Sequence, residues 1–451
     1  MGIDFPILVA AAISCVALST VLPSQKRWYS LLFFSILFFV LYAHLQAVIG
    51  FALIGITYLS AKRIARAKNS LGLSIALILL PLILNKALVE KGHFQRFTSE
   101  NLLENPASFF GFLGISYVTF NLLSYLIDVK RKYIKPEENF LKFLLYALYF
   151  PALSSGPLHR YKYLNNQFEK IEITTEHFSK GGRLILWGLF KNLVLGDRIL
   201  SVIQTAERNE LGGFASLVIG LLFFLYIYLN FSSFIDFFRG VSYLLGVELK
   251  RNFGNRIYVA TSRKEFWKGW HITLNNWFRD YYLFSVMPKR RDSIWTNLVL
   301  WSTFFLIALW HELSIQMVIW GSANGLWIVL EYRFLKKKFP RVVGLIYHLG
   351  ISSLLALIFI KKNPSDLISD VFSLGSYNLA DLLVEHKFNL SVIVVCFFFM
   401  DVVYRLAKNK PVETFMASLA WPKRWGIYVG LVLVILFFGT GDTISNYYIQ
   451  F

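Results

Sequence analysis

Charge is scarce in this chain of 451 residues: Asp, Glu, Lys and Arg together supply 16%, with 27 acidic side chains against 46 basic ones. Soluble domains carry about 25% charged residues. With 56% hydrophobic residues, the chain lacks the polar groups to cover a water-facing surface, which excludes an ordinary soluble globule. Cysteine is almost absent. Cys15 and Cys396 each lie within an apolar run, so neither a disulfide framework nor a cysteine metal site is indicated. Internal repeats and low-complexity tails are also missing. The first apolar run lacks the basic start of a secretory signal, carrying Asp4 instead, and is long for a cleaved segment, so it reads as a span.

What the chain has in abundance is long apolar runs. A bilayer core requires about 20 mainly apolar residues per helix. Such windows recur near 5–22, 28–45, 46–61, 71–89, 107–127, 139–156, 184–203, 213–231, 294–310, 314–332, 342–360, 390–406 and 425–440. They predict about eleven to thirteen transmembrane or re-entrant helices. A membrane barrel would show short segments of alternating polarity instead. The expected fold class is therefore an all-α polytopic membrane protein, with residues 1–451 as a single integral-membrane domain and the lipid bilayer as its first partner.

The net charge of +19 follows from the basic bias of cytoplasmic loops, and no nucleic-acid partner is inferred. Basic runs occur at Lys62-Arg63-Ile64-Ala65-Arg66-Ala67-Lys68, Lys130-Arg131-Lys132, Lys336-Lys337-Lys338 and Lys408-Asn409-Lys410. Counting spans from these runs puts the N-terminus outside. Two polar stretches interrupt the pattern. Residues 158–183 read as a surface loop with a short amphipathic piece. Residues 249–292 interleave basic side chains with Trp267, Trp270, Trp277, Phe278, Tyr281 and Tyr282, a composition suited to the headgroup boundary. Interfacial helices that carry His271 back toward the membrane centre are expected there.

Two histidines dominate the functional reading. His311 ends a long apolar run, where an ionisable group is expensive and marks a functional site by default. His271 follows Phe266-Trp267-Lys268-Gly269-Trp270. On sequence alone His311 reads equally as a buried histidine tying two helices together, and His271 as an interfacial one. Forty positions separate them without a His-x3-His or carboxylate cluster, so no metal site is inferred. His348 reads as a packed or pore-lining polar residue and His159 as interfacial, while His44, His93, His177 and His386 have no supporting pattern. For Asp128 and Asp236, each after an apolar run, span-end capping competes with a functional role.

Asn252-Phe253, Phe266-Trp267-Lys268-Gly269-Trp270-His271-Ile272-Thr273-Leu274, Trp277-Phe278-Arg279-Asp280-Tyr281 and Trp310-His311 follow one another along the chain. That order of motifs resembles the membrane-bound O-acyltransferase family, in particular its bacterial branch of alginate O-acetyltransferases and teichoic-acid D-alanyltransferases. Gly114 to Phe120 with Ser124 to Asp128, Phe150 to Pro157, Phe231 to Asp236 and the ending Tyr447 to Phe451 agree with it. The family-like core runs from about 111 to 330 by these motifs. Two positions depart from the pattern. Glu312 stands where the branch usually has glycine, and Asn324 where a further histidine or equivalent polar residue often follows the Trp-Gly step.

The resemblance implies a helical fold around a central tunnel, with His311 as the catalytic histidine and His271 as the second polar residue. Site-supporting positions would be Trp270, Trp277, Arg279, Asp280, Trp310, Glu312 and Asn324, although a structural ion-pair network suits Arg279 and Asp280 equally. The implied reaction moves an acyl group, acetyl in preference to D-alanyl, from a cytoplasmic thioester to a hydroxyl. Its donor would be acetyl-coenzyme A or an acyl carrier protein, with no tightly bound cofactor. The acceptor would be an extracytoplasmic polysaccharide, teichoic acid or an intermediary acyltransferase, which implies the inner or cytoplasmic membrane of a cell with such an envelope. Independently of the family, a hydroxyl needs a base to attack a carbonyl near neutral pH, and imidazole has the matching pKa. A proton-coupled transporter would also use buried histidines, but the paired halves it predicts are not evident. A polysaccharide-export scaffold is the remaining class.

Overall fold

In lipid every backbone N–H and C=O must find a partner within the protein, and the apolar runs meet that demand as helices. The computed structural model describes residues 5–66, 71–88, 111–112, 114–153, 156–208, 213–289, 293–335, 339–360 and 379–440. Among these residues the regular structure is entirely helical. Lys68, Lys336-Lys337-Lys338, Ser154-Ser155, His93 and the ending Tyr447 to Phe451 lie outside the described residues. Among the described residues, six stretches are long and apolar enough to cross a bilayer: Arg27–Arg66, Ala215–Leu244, Ile294–His311, Arg341–Phe359, Lys387–Ala407 and Trp421–Phe438. The chain is a multi-pass membrane protein.

The described residues form two compact units, the first comprising the chain to Ile185 with Phe238–Lys250 and the second Leu186–Phe237 with the chain from Arg251 onward. In the first unit most apolar windows become single helices, among them Phe5–Val21, Arg27–Ala43, Ala47–Arg66, Leu71–Leu88 and Ile115–Lys130. The window 139–156 does not. It divides into Phe140–Leu148 and Phe150–Leu153 because Tyr149 leaves helical geometry at ψ 104°, the position ahead of a Phe-Pro step. Residues 158–183, read from sequence as a surface loop with a short amphipathic piece, contain the short helix Tyr161–Phe168 and the start of Thr175–Leu189. His159, read from sequence as interfacial, packs inside the protein. It is buried, its Nε2 accepts from the Lys250 backbone at 3.1 Å, and burial pushes its pKa down to about 3, so it is a neutral packing group.

The second unit contains the π-helical turn Phe190–Gly196, which breaks the 184–203 window and turns Lys191 inward. A buried ammonium is tolerable only when paired. Lys191 Nζ meets Asp236 Oδ2 at 2.8 Å and donates to Ser232 Oγ at 2.8 Å, so Asp236 serves this ion pair rather than capping a span end.

The helices Ile294–His311 and Ile315–Phe334 form an antiparallel hairpin in the same unit. Glu312 breaks the first helix by going extended at φ −159° and ψ 144°. Ser314 then caps the second by accepting from Met317 N. Small residues let the two backbones approach, as in membrane helix pairs generally. A Cβ at Gly321 would lie 2.5 Å from the Ala308 Cβ and 2.9 Å from the Phe304 carbonyl, and one at Gly325 would lie 2.7 Å from the Trp301 carbonyl. Gly321→Val and Gly325→Val should therefore each cost about 1–3 kcal/mol by overpacking, read as a lowered thermal midpoint of the detergent-solubilised protein. Gly426→Ala, where an added Cβ meets nothing within 4 Å, should leave the midpoint in place, and an equal effect at all three sites would refute the close-approach account.

Candidate active site

The aromatic and basic stretch of residues 249–292 folds as short helices separated by breaks. Ser262 caps the helix Arg263–Gly269 by accepting from Glu265 N at 3.1 Å. Glu331 adds a second cap, its carboxylate accepting from Arg263 N at 2.6 Å and Lys264 N at 2.9 Å. An anion suits the positive end of a helix. Trp270 is extended, and the next helix, Ile272–Phe278, begins after a break at His271.

His271 occupies the left-handed region at φ 44° and ψ 53°, a conformation that histidine, asparagine and aspartate adopt more readily than most residues. Asn252 holds it there. The Asn252 carbonyl accepts from Ile272 N at 2.9 Å, and its Oδ1 accepts from Thr273 N at 3.0 Å and Thr273 Oγ1 at 2.8 Å. Because a backbone N–H only donates, these bonds fix the orientation of the Asn252 amide. Its Nδ2 must then donate to His271 Nδ1, 3.2 Å away. The imidazole is the neutral Nε2–H tautomer by this geometry. Burial agrees, pushing the His271 pKa down to about 3.

A cavity of about 60 Å³ brings His271 and His311 together, its other walls including Phe224, Trp267, Trp270 and Trp320. Both histidines are buried, at 1% and 6% relative exposure. Trp310 packs against both rings, 6.3 Å from the His271 centroid and 4.6 Å from that of His311. Trp320 packs edge-on to His311 at 6.4 Å.

The remaining sequence candidates divide. Trp270 lines the cavity. Asn324 is fully buried and acts behind the wall, its Oδ1 accepting from Arg263 Nη2 at 3.1 Å. Trp277 is buried against Phe278 and Tyr281, while Glu312 forms the extended end of the His311 helix. Arg279 and Asp280 pair with each other at 2.9 Å, 50% and 36% exposed. None of these last four lines the cavity.

Two residues that sequence reasoning did not select prove central. Asn252 was visible in the Asn-Phe pair, but its role requires the chain to return at positions 271–273. Arg263 was one basic residue among several in a stretch read as facing headgroups, yet it is buried and lines the cavity. His348, which packs edge-on to Phe224 at 5.7 Å, lies beside it, with Arg263 Nη1 3.5 Å from its Nδ1.

The profile of the MBOAT, membrane-bound O-acyltransferase family, matches residues 129–340. The chain is 30% identical over 318 residues to the probable alginate O-acetylase AlgI of Pseudomonas aeruginosa, a match covering 67% of this chain and 60% of that protein. It is 28% identical over 341 residues to the teichoic acid D-alanyltransferase of Lacticaseibacillus rhamnosus, covering 70% and 82%. A third relative, the teichoic acid D-alanyltransferase of Bacillus subtilis, is 27% identical over 247 residues, covering 51% and 61%. The chain thus spans 60% or less of the length of the alginate O-acetylases that it matches.

The Asn252 clamp makes a spectroscopic prediction. Nitrogen-15 NMR of histidine-labelled protein should show His271 as the Nε2–H tautomer. Asn252→Asp, which offers an acceptor in place of the amide donor, should convert it to Nδ1–H. An unchanged tautomer in the variant would show that Asn252 does not orient the ring.

Proposed function

We propose that the chain is a membrane-bound O-acyltransferase, the family whose profile matches residues 129–340, and that it transfers an acyl group, acetyl in preference to D-alanyl, from a cytoplasmic thioester to a hydroxyl. The donor is acetyl-coenzyme A or an acyl carrier protein. The acceptor is an extracytoplasmic polysaccharide, a teichoic acid or an intermediary acyltransferase, and the site of action is the inner or cytoplasmic membrane. The observation that carries this reading is the shared cavity of His271 and His311.

In the proposed step, His311 accepts the hydroxyl proton as the acceptor oxygen forms a bond to the thioester carbonyl carbon. The carbonyl oxygen becomes an oxyanion, to which the His271 Nε2–H donates a hydrogen bond. Collapse re-forms the carbonyl and breaks the carbon–sulfur bond, and the leaving thiolate takes the proton from His311. His271 thus acts as a fixed donor, in the form that Asn252 and burial favour. Apolar walls exclude water, which limits loss of the acyl group to hydrolysis. The relatives named for acetylation and for D-alanylation leave D-alanyl transfer as the alternative outcome of the same experiment.

Membranes carrying wild type, His311→Ala or His271→Ala at matched folded levels should be given radiolabelled acetyl-coenzyme A, with label scored in envelope polymer. His311→Ala should lower transfer by at least about 10²-fold, the loss typical of a general base, and His271→Ala by about 10²–10³-fold, as for an oxyanion donor. Undiminished transfer by His311→Ala would remove it from the mechanism, and label only from a D-alanyl carrier protein would select the alternative. Since His271 takes up a proton only near about 3, it remains neutral throughout pH 5–8. The acid limb of the wild-type profile in that range should therefore persist in His271→Asn, and its disappearance would mean that His271 itself titrates there.

A further inference from the structure

Among the described residues that line the His271–His311 cavity, Arg263 is the one permanently cationic group. Its side chain is 3% exposed. Nη1 donates to Ser352 Oγ at 2.9 Å and approaches His348 Nδ1 at 3.5 Å. Nη2 donates to Asn324 Oδ1 at 3.1 Å, and the group lies 4.3 Å from the centroid of the Phe266 ring. These partners are all neutral, and Nε is buried without a hydrogen-bond partner. The nearest acid in its electrostatic environment, Glu331, spends its oxygens on Arg263 N, Lys264 N and the Tyr347 hydroxyl. Glu331 does not line the cavity. Burial lowers the guanidinium pKa to about 10, with Glu331 opposing the shift, so the group stays charged near neutral pH.

A fixed positive charge on an otherwise apolar wall acts on whatever enters. Resting on the acyltransferase reading, we propose that Arg263 is a specificity-determining residue that admits neutral acyl groups to the His271–His311 cavity and rejects those bearing an ammonium. The size of the effect follows from Coulomb's law. Two unit charges about 7 Å apart at an effective dielectric of about 20 repel by a few tens-fold in affinity. An acetyl group feels no such repulsion, whereas a D-alanyl group, protonated at its amine, feels all of it. Asn324 positions this charge, which gives that departure from the family pattern a physical role: its carbonyl oxygen is an acceptor that a guanidinium can use.

The test compares two probes of nearly identical shape. S-isobutyryl-pantetheine carries a methyl group where S-D-alanyl-pantetheine carries the ammonium. Binding of each to the full-length protein in lipid nanodiscs should be measured separately from transfer, for wild type, Arg263→Lys and Arg263→Gln. Wild type should bind the isobutyryl probe at least about tenfold more tightly, the margin expected from the repulsion above. Arg263→Lys should keep that preference, and Arg263→Gln should abolish it by gaining affinity for the D-alanyl probe. Equal binding of the two probes by wild type, or no binding of either, overturns the proposal even if Arg263→Gln fails to fold. A purely structural Arg263 would weaken both probes alike in the variants, which also overturns it. Charge discrimination in binding without acyl transfer would sink the acyltransferase reading and leave the selective cavity standing.

Discussion

The hydrogen bonds of a single buried amide organise the candidate site. Asn252 is 1% exposed and uses its carbonyl oxygen, its side-chain oxygen and its side-chain nitrogen on three consecutive residues, Ile272, Thr273 and His271. In a low-dielectric interior each such bond is strong and each lost partner is expensive. The amide cannot rotate without exchanging a donor for an acceptor against the Thr273 backbone. A backbone bend, a ring orientation and a proton position are thus all set by one side chain. Asn275 supports the same bend from the other side, its Nδ2 donating to the carbonyls of Trp267 and Trp270.

The second unit treats its buried charges in two ways. Lys191 meets Asp236, and Asp401 meets Arg256, Arg405 and the Tyr258 hydroxyl, so these groups are neutralised by direct ionic contact. Removing one member of such a pair leaves a buried charge without compensation, which typically costs about 3–5 kcal/mol. Arg263 is held instead by hydroxyl, amide and imidazole dipoles. Dipoles lower the cost of burying a cation without cancelling its field, and the field extends into the cavity. Arg198 is likewise held by neutral acceptors, the Phe438 carbonyl and Asn389 Oδ1, but does not line the cavity, whereas Arg263 does.

Much of the helical fold was legible because an apolar run of about 20 residues has few alternatives in a bilayer. Where that reading failed, the cause is local and identifiable. Tyr149 breaks the 139–156 window, the π turn at Phe190–Gly196 interrupts the 184–203 window, and His159 is buried by contact with Lys250. His311 could be selected from sequence because an ionisable group at the end of an apolar run is costly, and His271 from the aromatic motif that precedes it. Arg263 could not. Its partners lie 61, 85 and 89 positions away at Asn324, His348 and Ser352, and among many basic residues nothing local distinguishes the one that turns inward. The pair Arg279–Asp280 shows the converse, since an ion pair embedded among motif residues proves to be largely exposed.

The left-handed backbone at His271 also restricts the history open to that position. A β-branched or bulky side chain is a genuine outlier at positive φ, so most substitutions there would strain the chain before any chemistry was affected. Asparagine and aspartate tolerate the conformation, and asparagine alone of the two retains an N–H donor without introducing a negative charge. Each is reached from either histidine codon by one nucleotide change. Mutational drift at this site is therefore funnelled toward a residue that keeps the bend and still presents a hydrogen to the cavity, independently of any selection on the reaction itself.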